Sequence, residues 1–364
     1  MPDRFLVSAV GAIVEIDVSS RDAAFRSLAY EAWADARYEG ERVPAASVAA
    51  REDLDDAAAL STLSTDVTVA ALSHRRSDPI WMLHAAGLAH ESGRVVVLSA
   101  PAGTGKTTAA RHLSRRYAYV SDETVGIRSD GVVLPYRKPL SIIEPQSAHK
   151  AQIALSSLGS GRPLPSALRV AKIVVIDRSP DGPAQPQLEQ LDVAEALELL
   201  GPQTSYLCDA EAPLHRIAAL LDATGGAVRL RYREVDTIDD LIDQLLSEQE
   251  RPVAPVVPRI FEPVSEMTQR PGTLARGEVV DQLDLDGRTV LLRRTGSGGQ
   301  VQVLDGIGPA LWASANGSTL DELVVAVVAV HGEPEGADAH SIVESAVQRL
   351  LADGFLRSLA PSCA

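Results

Sequence analysis

The stretch Val95–Arg115, VVVLSAPAGTGKTTAARHLSR, constrains the fold more than any other part of the chain. Four apolar residues, Val95–Leu98, suffice for one buried strand. Small residues follow, and Gly105-Lys106-Thr107-Thr108 opens a helix-compatible segment that runs to Arg115. The spacing fits the phosphate-binding pattern G-x-x-x-x-G-K-[ST], with Ala100 where the first glycine is usual. In such a loop, built of Ala100, Pro101, Ala102, Gly103, Thr104, Gly105 and Thr108, the backbone N–H groups of all but Pro101, which has none, can wrap phosphates, and the helix N-terminus adds positive potential. Lys106 reaches the outer phosphates, and Thr107 offers its hydroxyl to Mg²⁺. The bland alternative is a strand-to-helix turn carrying an exposed lysine; the strand and helix on either side weigh against it. The loop therefore predicts a site for ATP, or another nucleoside triphosphate, with Mg²⁺. It tolerates Ala100 only if that residue keeps a negative φ, because positive φ strains a residue bearing a Cβ.

The flanks sharpen this expectation. Upstream, WMLHAAGLAH, a turn at ESGR, and VVVLSA read as strand, tight turn, strand, with His84 in the first strand. A lone histidine among apolar neighbours is either a satisfied core residue or a catalytic one. Downstream, Tyr117–Ser121 reads as a strand ending in Asp122-Glu123. In a parallel α/β sheet the C-terminal strand ends gather on one edge, which places both carboxylates near the triphosphate. One can hold Mg²⁺ and the other can take a proton from an attacking hydroxyl; an acidic turn facing solvent is the alternative. A hairpin follows, Thr124–Arg128 and Val132–Tyr136 about Asp130-Gly131, and leads to Arg137-Lys138 and on to Glu144. Of 34 basic residues only Lys106, Lys138, Lys150 and Lys172 are lysine. In an arginine-using chain a lysine hints that a compact ammonium is wanted, so Lys138 joins Lys106 as a candidate contact for phosphates or acceptor.

With 364 residues the chain has room for two or three domains. No apolar run approaches the roughly 18 residues of a membrane span, and no basic-then-apolar secretory segment opens the chain; a cytoplasmic protein without a membrane partner is expected. Cys208 and Cys363 have neither metal-ligand nor disulfide spacing, and Cys208 reads as core. A net charge of −15 argues against nucleic acid as a partner. Residues 1–75 read as an N-terminal α/β extension: strands within Phe5–Val18, a helix over Asp22–Asp35, an unassigned polar stretch from Glu39 to Asp56, and a strand over Val67–Leu72. Residues 76–250 carry the phosphate loop. They continue with a loop at Leu155–Pro165, a strand at Val170–Ile176, helices at Asp192–Leu200 and Ala212–Leu221, a strand at Ala227–Tyr232 and a helix at Ile238–Ser247, an α/β alternation. Residues 251–273, with five prolines, read as a linker.

Residues 274–364 change pattern. Short strands over Val279–Leu283, Thr289–Arg293 and Val301–Leu304 precede helices over Ile307–Ala313, Leu320–Val330 and Ala339–Asp353, and Phe355–Ser358 closes as a strand. This α+β order predicts a winged-helix-like module. From Arg276 onward it holds twelve acidic residues against six arginines and no lysine, the reverse of a DNA reader. A peptide added as a strand to an exposed sheet edge is the expected partner.

Two resemblances follow from these residues. LHAAGLAHESGRVVVLSAPAGTGKTTAARHL followed by YVSDETVGI resembles the HPr kinase/phosphorylase family over residues 80 to 150, and further toward 247. There a histidine precedes the phosphate loop and an Asp-Asp pair follows it; here Glu123 replaces the second aspartate. The resemblance implies a P-loop kinase acting on a hydroxyl, with Lys106 on the phosphates, Thr107 on Mg²⁺, Asp122 as proton acceptor and His84 beside the transferred phosphoryl group. Glu123 and Glu144 are the carboxylates it offers the metal. The family's later arginine-bearing segment has no counterpart, so phosphorylase activity and HPr as substrate are not implied. The second stretch, VLDGIGPALWASANGSTLDELVVAVVAVHG to VQRLLADGFL, resembles the PqqD family through Ala310-Leu311-Trp312, Asn316-Gly317 and Thr319–Glu322, with Asp305 where an asparagine is usual. That resemblance implies capture of the leader of a ribosomally made precursor peptide, with Thr289–Arg293 and Val301–Val303 supplying or flanking the receiving edge. Together they predict an ATP-dependent kinase of a Ser/Thr hydroxyl on such a peptide. A kinase of a small hydroxylated metabolite such as free serine, and a nucleotide-binding regulator without catalysis, are the alternatives. Oligomeric state is left open, homo-oligomers included.

Overall fold

The computed structural model describes residues 1–142, 149–159, 161–248, 253, 272–296 and 298–359. It is a mixed α/β protein with several sheets, in two compact units: Met1–Ala210 with Arg216–Pro255, and Glu211–His215 with Val256–Ala364. Most of the proline-rich stretch 251–273, Glu144 and Cys363 lie outside the described residues. Among the described residues, no helix is long and apolar enough to cross a membrane.

The first unit opens with β1 (Arg4–Ala9), β2 (Ala12–Asp17), α1 (Ala23–Ala32), β3 (Ala46–Ala49) and α2 (Asp56–Arg75). Both helices start at an aspartate whose carboxylate accepts a first-turn N–H: Asp22 from Phe25 and Asp55 from Ala58. The strand expected at Val67–Leu72 is instead part of α2. Its β-branched residues suit a strand, but Leu60, Leu63, Ser64, Val67 and Ala71 recur at helical spacing and are buried, so packing of that face decides. Phe5, Val7, Ile16, Phe25, Trp33, Leu63 and Val67 share one core with Ile80, Met82 and Tyr136. Residues 1–75 thus lie in the same compact unit as Val95–Arg115.

The unit continues with β4 (Ile80–Leu83), β5 (Ala85–Ala89), β6 (Arg94–Ser99), α3 (Lys106–Leu113), β7 (Ala118–Ser121), β8 (Val125–Arg128), β9 (Val133–Leu134), β10 (Leu140–Ile142) and β11 (Ala151–Ile153). Then come β12 (Arg169–Arg178), β13 (Gln187–Leu191), α4 (Val193–Leu200), β14 (Thr204–Ser205), α5 (Pro213–Ala223), β15 (Ala227–Tyr232) and α6 (Asp239–Ser247). A six-stranded sheet runs β13-β15-β12-β6-β5-β7. It is mixed rather than wholly parallel: β15, β12 and β6 are parallel, and β5 runs antiparallel to both β6 and β7. Hence β6 and β7 point the same way, and the loops leaving Ser99 and Ser121 emerge on one edge, as the sequence predicts. α3 packs Ala109, Ala110 and Leu113 into the sheet core with Val96 and Leu98. It is held to α6 by His112–Asp239 at 2.8 Å and Arg116–Asp243 at 2.6 Å.

The strand expected across Trp81–His90 is broken at His84. β4 joins a second sheet, β14-β4-β8-β9, whereas β5 stays in the six-stranded one. His84 is the residue at which the chain changes sheets. Its N–H donates to the Gln203 carbonyl at 2.7 Å, and its own carbonyl accepts from the Ser99 hydroxyl at 3.2 Å.

The second unit contains β16 (Leu274–Arg276), β17 (Asp281–Leu285), β18 (Arg288–Thr295), β19 (Gly298–Leu304), α7 (Gly308–Ser314), β20 (Asn316–Ser318), α8 (Leu320–His331), α9 (Ala339–Ala352) and β21 (Leu356–Ser358). These follow the expected elements closely. Two antiparallel sheets, β17-β18-β19 and β20-β16-β21, flank a core of Leu291, Leu311, Trp312, Leu323, Val343, Val347 and Phe355. α8 begins with the capping box expected at Thr319 and Glu322. Thr289–Arg293 lies in β18 and is paired on both sides, so it flanks an edge and cannot supply one. Val301–Val303 lies in β19, which pairs only with β18 among the described residues.

The shared core of the first unit yields a stability prediction. Phe25 is fully buried on α1, so Phe25→Ala should cost about 3–5 kcal/mol. Urea unfolding of the first unit measures this, and a loss below 1 kcal/mol would contradict the packing described.

Candidate functional site

The chain leaves β6 through Ala100, whose φ is not positive: among the described residues the Cβ-bearing positions with positive φ are Val10, Tyr206 and Ala212. The substitution of alanine for the first glycine is therefore unstrained. Gly103 and Gly105 take φ of 84° and 105°, where a side chain would be strained. A Cβ on Gly103 would meet nothing within 4 Å, whereas one on Gly105 would approach the Arg178 guanidinium at 3.5 Å. Thr104 closes the turn, its hydroxyl donating to the Pro101 carbonyl at 3.0 Å. α3 then starts at Lys106 with no side-chain cap, so its first N–H groups have no partner within the helix.

Lys106 is buried, and its ammonium donates to the carbonyls of Ala100 at 2.5 Å and Pro101 at 3.2 Å. Burial lowers its pKa, while the nearby charges of Glu123 and Asp122 oppose that shift. A cavity of about 440 Å³ opens over the loop. Its walls are Ala102, Gly103, Gly105, Lys106, Thr107 and Thr108 on one side, and His84, Asp122, Glu123, Lys138, Ser141 and Lys150 on the other. All the sequence candidates except Glu144 are thus gathered at one sheet edge. Ala100, Pro101 and Thr104 belong to the same loop and do not line the cavity.

The two carboxylates sit in different surroundings. Ser121 caps the turn after β7, its Oγ accepting the N–H groups of Glu123 and Thr124 at 3.2 Å each. Asp122 is buried and accepts from the Tyr119 hydroxyl at 2.7 Å; burial pushes that phenol well above its ordinary pKa, so it remains a donor. Glu123 is half-buried between His84 Nδ1 at 3.4 Å and the buried Lys138 Nζ at 3.4 Å. Burial alone would raise its pKa, but the His84 hydrogen bond and the Lys138 charge outweigh it and bring it down to about 2. Lys138 also donates to Ser141 Oγ at 3.2 Å.

A second cleft of about 650 Å³ lies on the far side of this group. His84, Glu123, Lys138, Ser141 and Lys150 line both cavities and form a shared wall; Asp122 lines only the one over the phosphate loop. The opposite wall of the second cleft is α2, through Ser61, Ser64, Thr65 and Thr68.

Sequence reasoning missed Lys150, Arg111 and the α2 hydroxyls. The scarcity of lysine already pointed at Lys150: three of the four lysines line the loop cavity. The fourth, Lys172, is a buried structural residue bonded to Glu248 at 2.9 Å and to the carbonyls of Thr224 and Gly225. Arg137, adjacent to Lys138, turns away to Asp35 at 3.6 Å and does not line the site. Neither a protein-family model nor a curated protein matches this chain.

The donor set fits a triphosphate and one divalent cation in part. The loop supplies N–H groups and an ammonium for phosphate oxygens, and Thr107 with Asp122 offers two oxygen donors. Among the described residues no group of three His, Cys, Asp or Glu side chains is arranged to hold a metal by itself.

The depressed pKa of Glu123 has a testable sign. Its carboxylate contributes stability that is fully present above its ordinary value of 4.5 and drains away as pH falls toward 2. Lys138→Met removes one cause of the depression. The Glu123 carboxyl resonance should then titrate at higher pH in a carbon-detected NMR titration; an unchanged midpoint would show that Lys138 does not hold it.

Proposed function

We propose that this protein is an ATP-dependent, Mg²⁺-dependent kinase, working in the cytoplasm, that phosphorylates a Ser or Thr hydroxyl of a ribosomally made precursor peptide. The observation that carries the reading is the shared wall. A phosphate loop opens into one cavity, a second cleft lies beside it, and a carboxylate flanked by the His84 imidazole and the Lys138 ammonium stands between them. A site that only bound nucleotide would not need the second cleft or the residues facing both.

In this reading Lys106 leaves the Ala100 and Pro101 carbonyls for the outer phosphates, and the N–H groups of α3 and the loop hold the remaining oxygens. The acceptor oxygen forms a bond to the γ-phosphorus as the bond to the β,γ-bridging oxygen breaks. The hydroxyl proton passes to a carboxylate, and ADP carries away the bond's electron pair. Lys138, Lys150 and His84 face the oxygens on which negative charge spreads. Mg²⁺, held by Thr107 and a carboxylate, supplies charge neutralisation on the phosphates.

The geometry favours a particular division between the carboxylates. Glu123 faces both cavities, so we assign it the acceptor's proton; Asp122, fixed by Tyr119 on the loop side, is the partner for Mg²⁺. This reverses the roles that the family resemblance implies. The low pKa of Glu123 does not disqualify it, because a triphosphate placed beside it pushes that value up, and a loose transition state releases the proton late.

The second unit supports the peptide as acceptor. Its acidic character argues against a nucleic-acid role, and the outer edge of β19 is open among the described residues to an added strand. Carrying leader and core on one chain raises the effective concentration of the core at the phosphate loop.

Three substitutions test the scheme with radiolabelled ATP and a leader-bearing precursor peptide. Lys106→Ala should abolish transfer and leave leader binding intact; loss of both would break the division of labour between the units. Glu123→Gln should reduce kcat by about 10²–10⁴-fold, the usual contribution of a general base, with nucleotide affinity retained. Asp122→Asn should lose the Mg²⁺ dependence of nucleotide binding by calorimetry. The opposite pairing of effects would restore the family's assignment.

A further inference from the structure

The second cleft carries chemistry of its own, and the inference drawn from it rests on the kinase reading above. Its α2 wall is set by one face of the helix: Ser61, Ser64, Thr65 and Thr68, then Val69 and Leu72. These positions follow at spacings of three and four residues and so stack along one side of the helix. The wall presents four hydroxyls and no charge, then passes to apolar side chains; Val69 is 54% exposed there. Thr65 is exposed as well and donates its hydroxyl to the Ser61 carbonyl at 3.3 Å. Thr68 donates to the Ser64 carbonyl at 2.9 Å and lies 3.1 Å from the Tyr136 hydroxyl, and Ser64 is buried, so toward the cleft the two threonine hydroxyls chiefly accept. Facing it is the shared wall with Glu123.

We infer that this cleft is the acceptor subsite, and that it takes an extended, uncharged stretch of peptide with a Ser or Thr hydroxyl turned toward Glu123. Hydroxyls donate to and accept from peptide C=O and N–H groups, which a backbone lying along α2 presents in alternation. From Ser61 to Leu72 the helix rises about 16 Å, the length of about five residues of extended chain. Val69 and Leu72 receive an apolar side chain beside the hydroxyl residue. The α2 wall offers no charge to the ammonium and carboxylate of a free amino acid, which only Glu123, Lys138 and Lys150 of the shared wall could meet. The N-terminal layer thereby acquires a task, because α2 selects what reaches the phosphoryl group.

The probe is a seven-residue peptide, Ala-Gly-Val-Ser-Val-Gly-Ala, acetylated and amidated at its ends, against free L-serine. With a non-hydrolysable ATP analogue bound, the full chain is followed by hydrogen exchange. The peptide should protect residues 61–72 and L-serine should not. Thr65→Lys, an exposed position that α2 tolerates, should remove the protection and raise the KM for the peptide by about tenfold, with affinity for the ATP analogue unchanged; Thr65→Ser should restore both. Absence of protection by the peptide, or protection by L-serine alone, would overturn the inference. Protection of α2 without phosphate transfer from ATP would leave the cleft as a peptide site and remove the kinase reading.

Discussion

The pairing of Glu123 with His84 on one side and Lys138 on the other is the interaction on which the arrangement of the site depends. It places a negative charge at the partition between two cavities and neutralises it enough to be held there half-buried. Without it the partition would lose its polar cement: Lys138 would be a buried ammonium with one hydroxyl for company, a state that burial penalises heavily. Each partner comes from a different part of the fold. His84 sits at the sheet switch, Glu123 follows β7, and Lys138 comes from the segment after β9. The cluster thus cross-links the six-stranded sheet and the β14-β4-β8-β9 sheet at the edge where the loop after β6 opens.

That edge was legible in the sequence because local chemistry determines it. The loop pattern, the apolar run that became β6, and the acidic pair at the end of β7 are all short-range signals. The negative φ of Ala100 was the one condition the sequence left open, and the structure meets it. The elements of the second unit were equally readable, since turns at Asp286-Gly287 and a capping box at Thr319 punctuate them clearly.

What was hidden depends on long-range packing. α2 looked like a strand at Val67–Leu72 because three of the six residues there are β-branched, and only the burial of its other face against β1, β2 and β3 makes it a helix. Its role beside the site was invisible for the same reason: Ser61, Thr65 and Glu123 are far apart in sequence and have no shared motif. His84 was noticed, but the break between β4 and β5 was not, since the same apolar residues serve one continuous strand or two strands in different sheets. Lys150 was discoverable from composition alone, because lysine is rare here and three of the four converge on one cavity.

The sheet switch at His84 has a consequence for how the chain tolerates change in length. β4 and β5 are separated by one residue, and each is locked in register, β4 to β8 and β5 to β6. One residue more or fewer at this joint would slide one sheet against the other by about 3.3 Å, while reacting groups must be held to within about 0.5 Å. Homologous chains should therefore vary freely in the loops around the cleft and keep this joint at constant length. In mechanical terms His84 is the fixed gauge block between the two sheets, and the spacing it enforces is set by backbone covalent geometry rather than by any side chain.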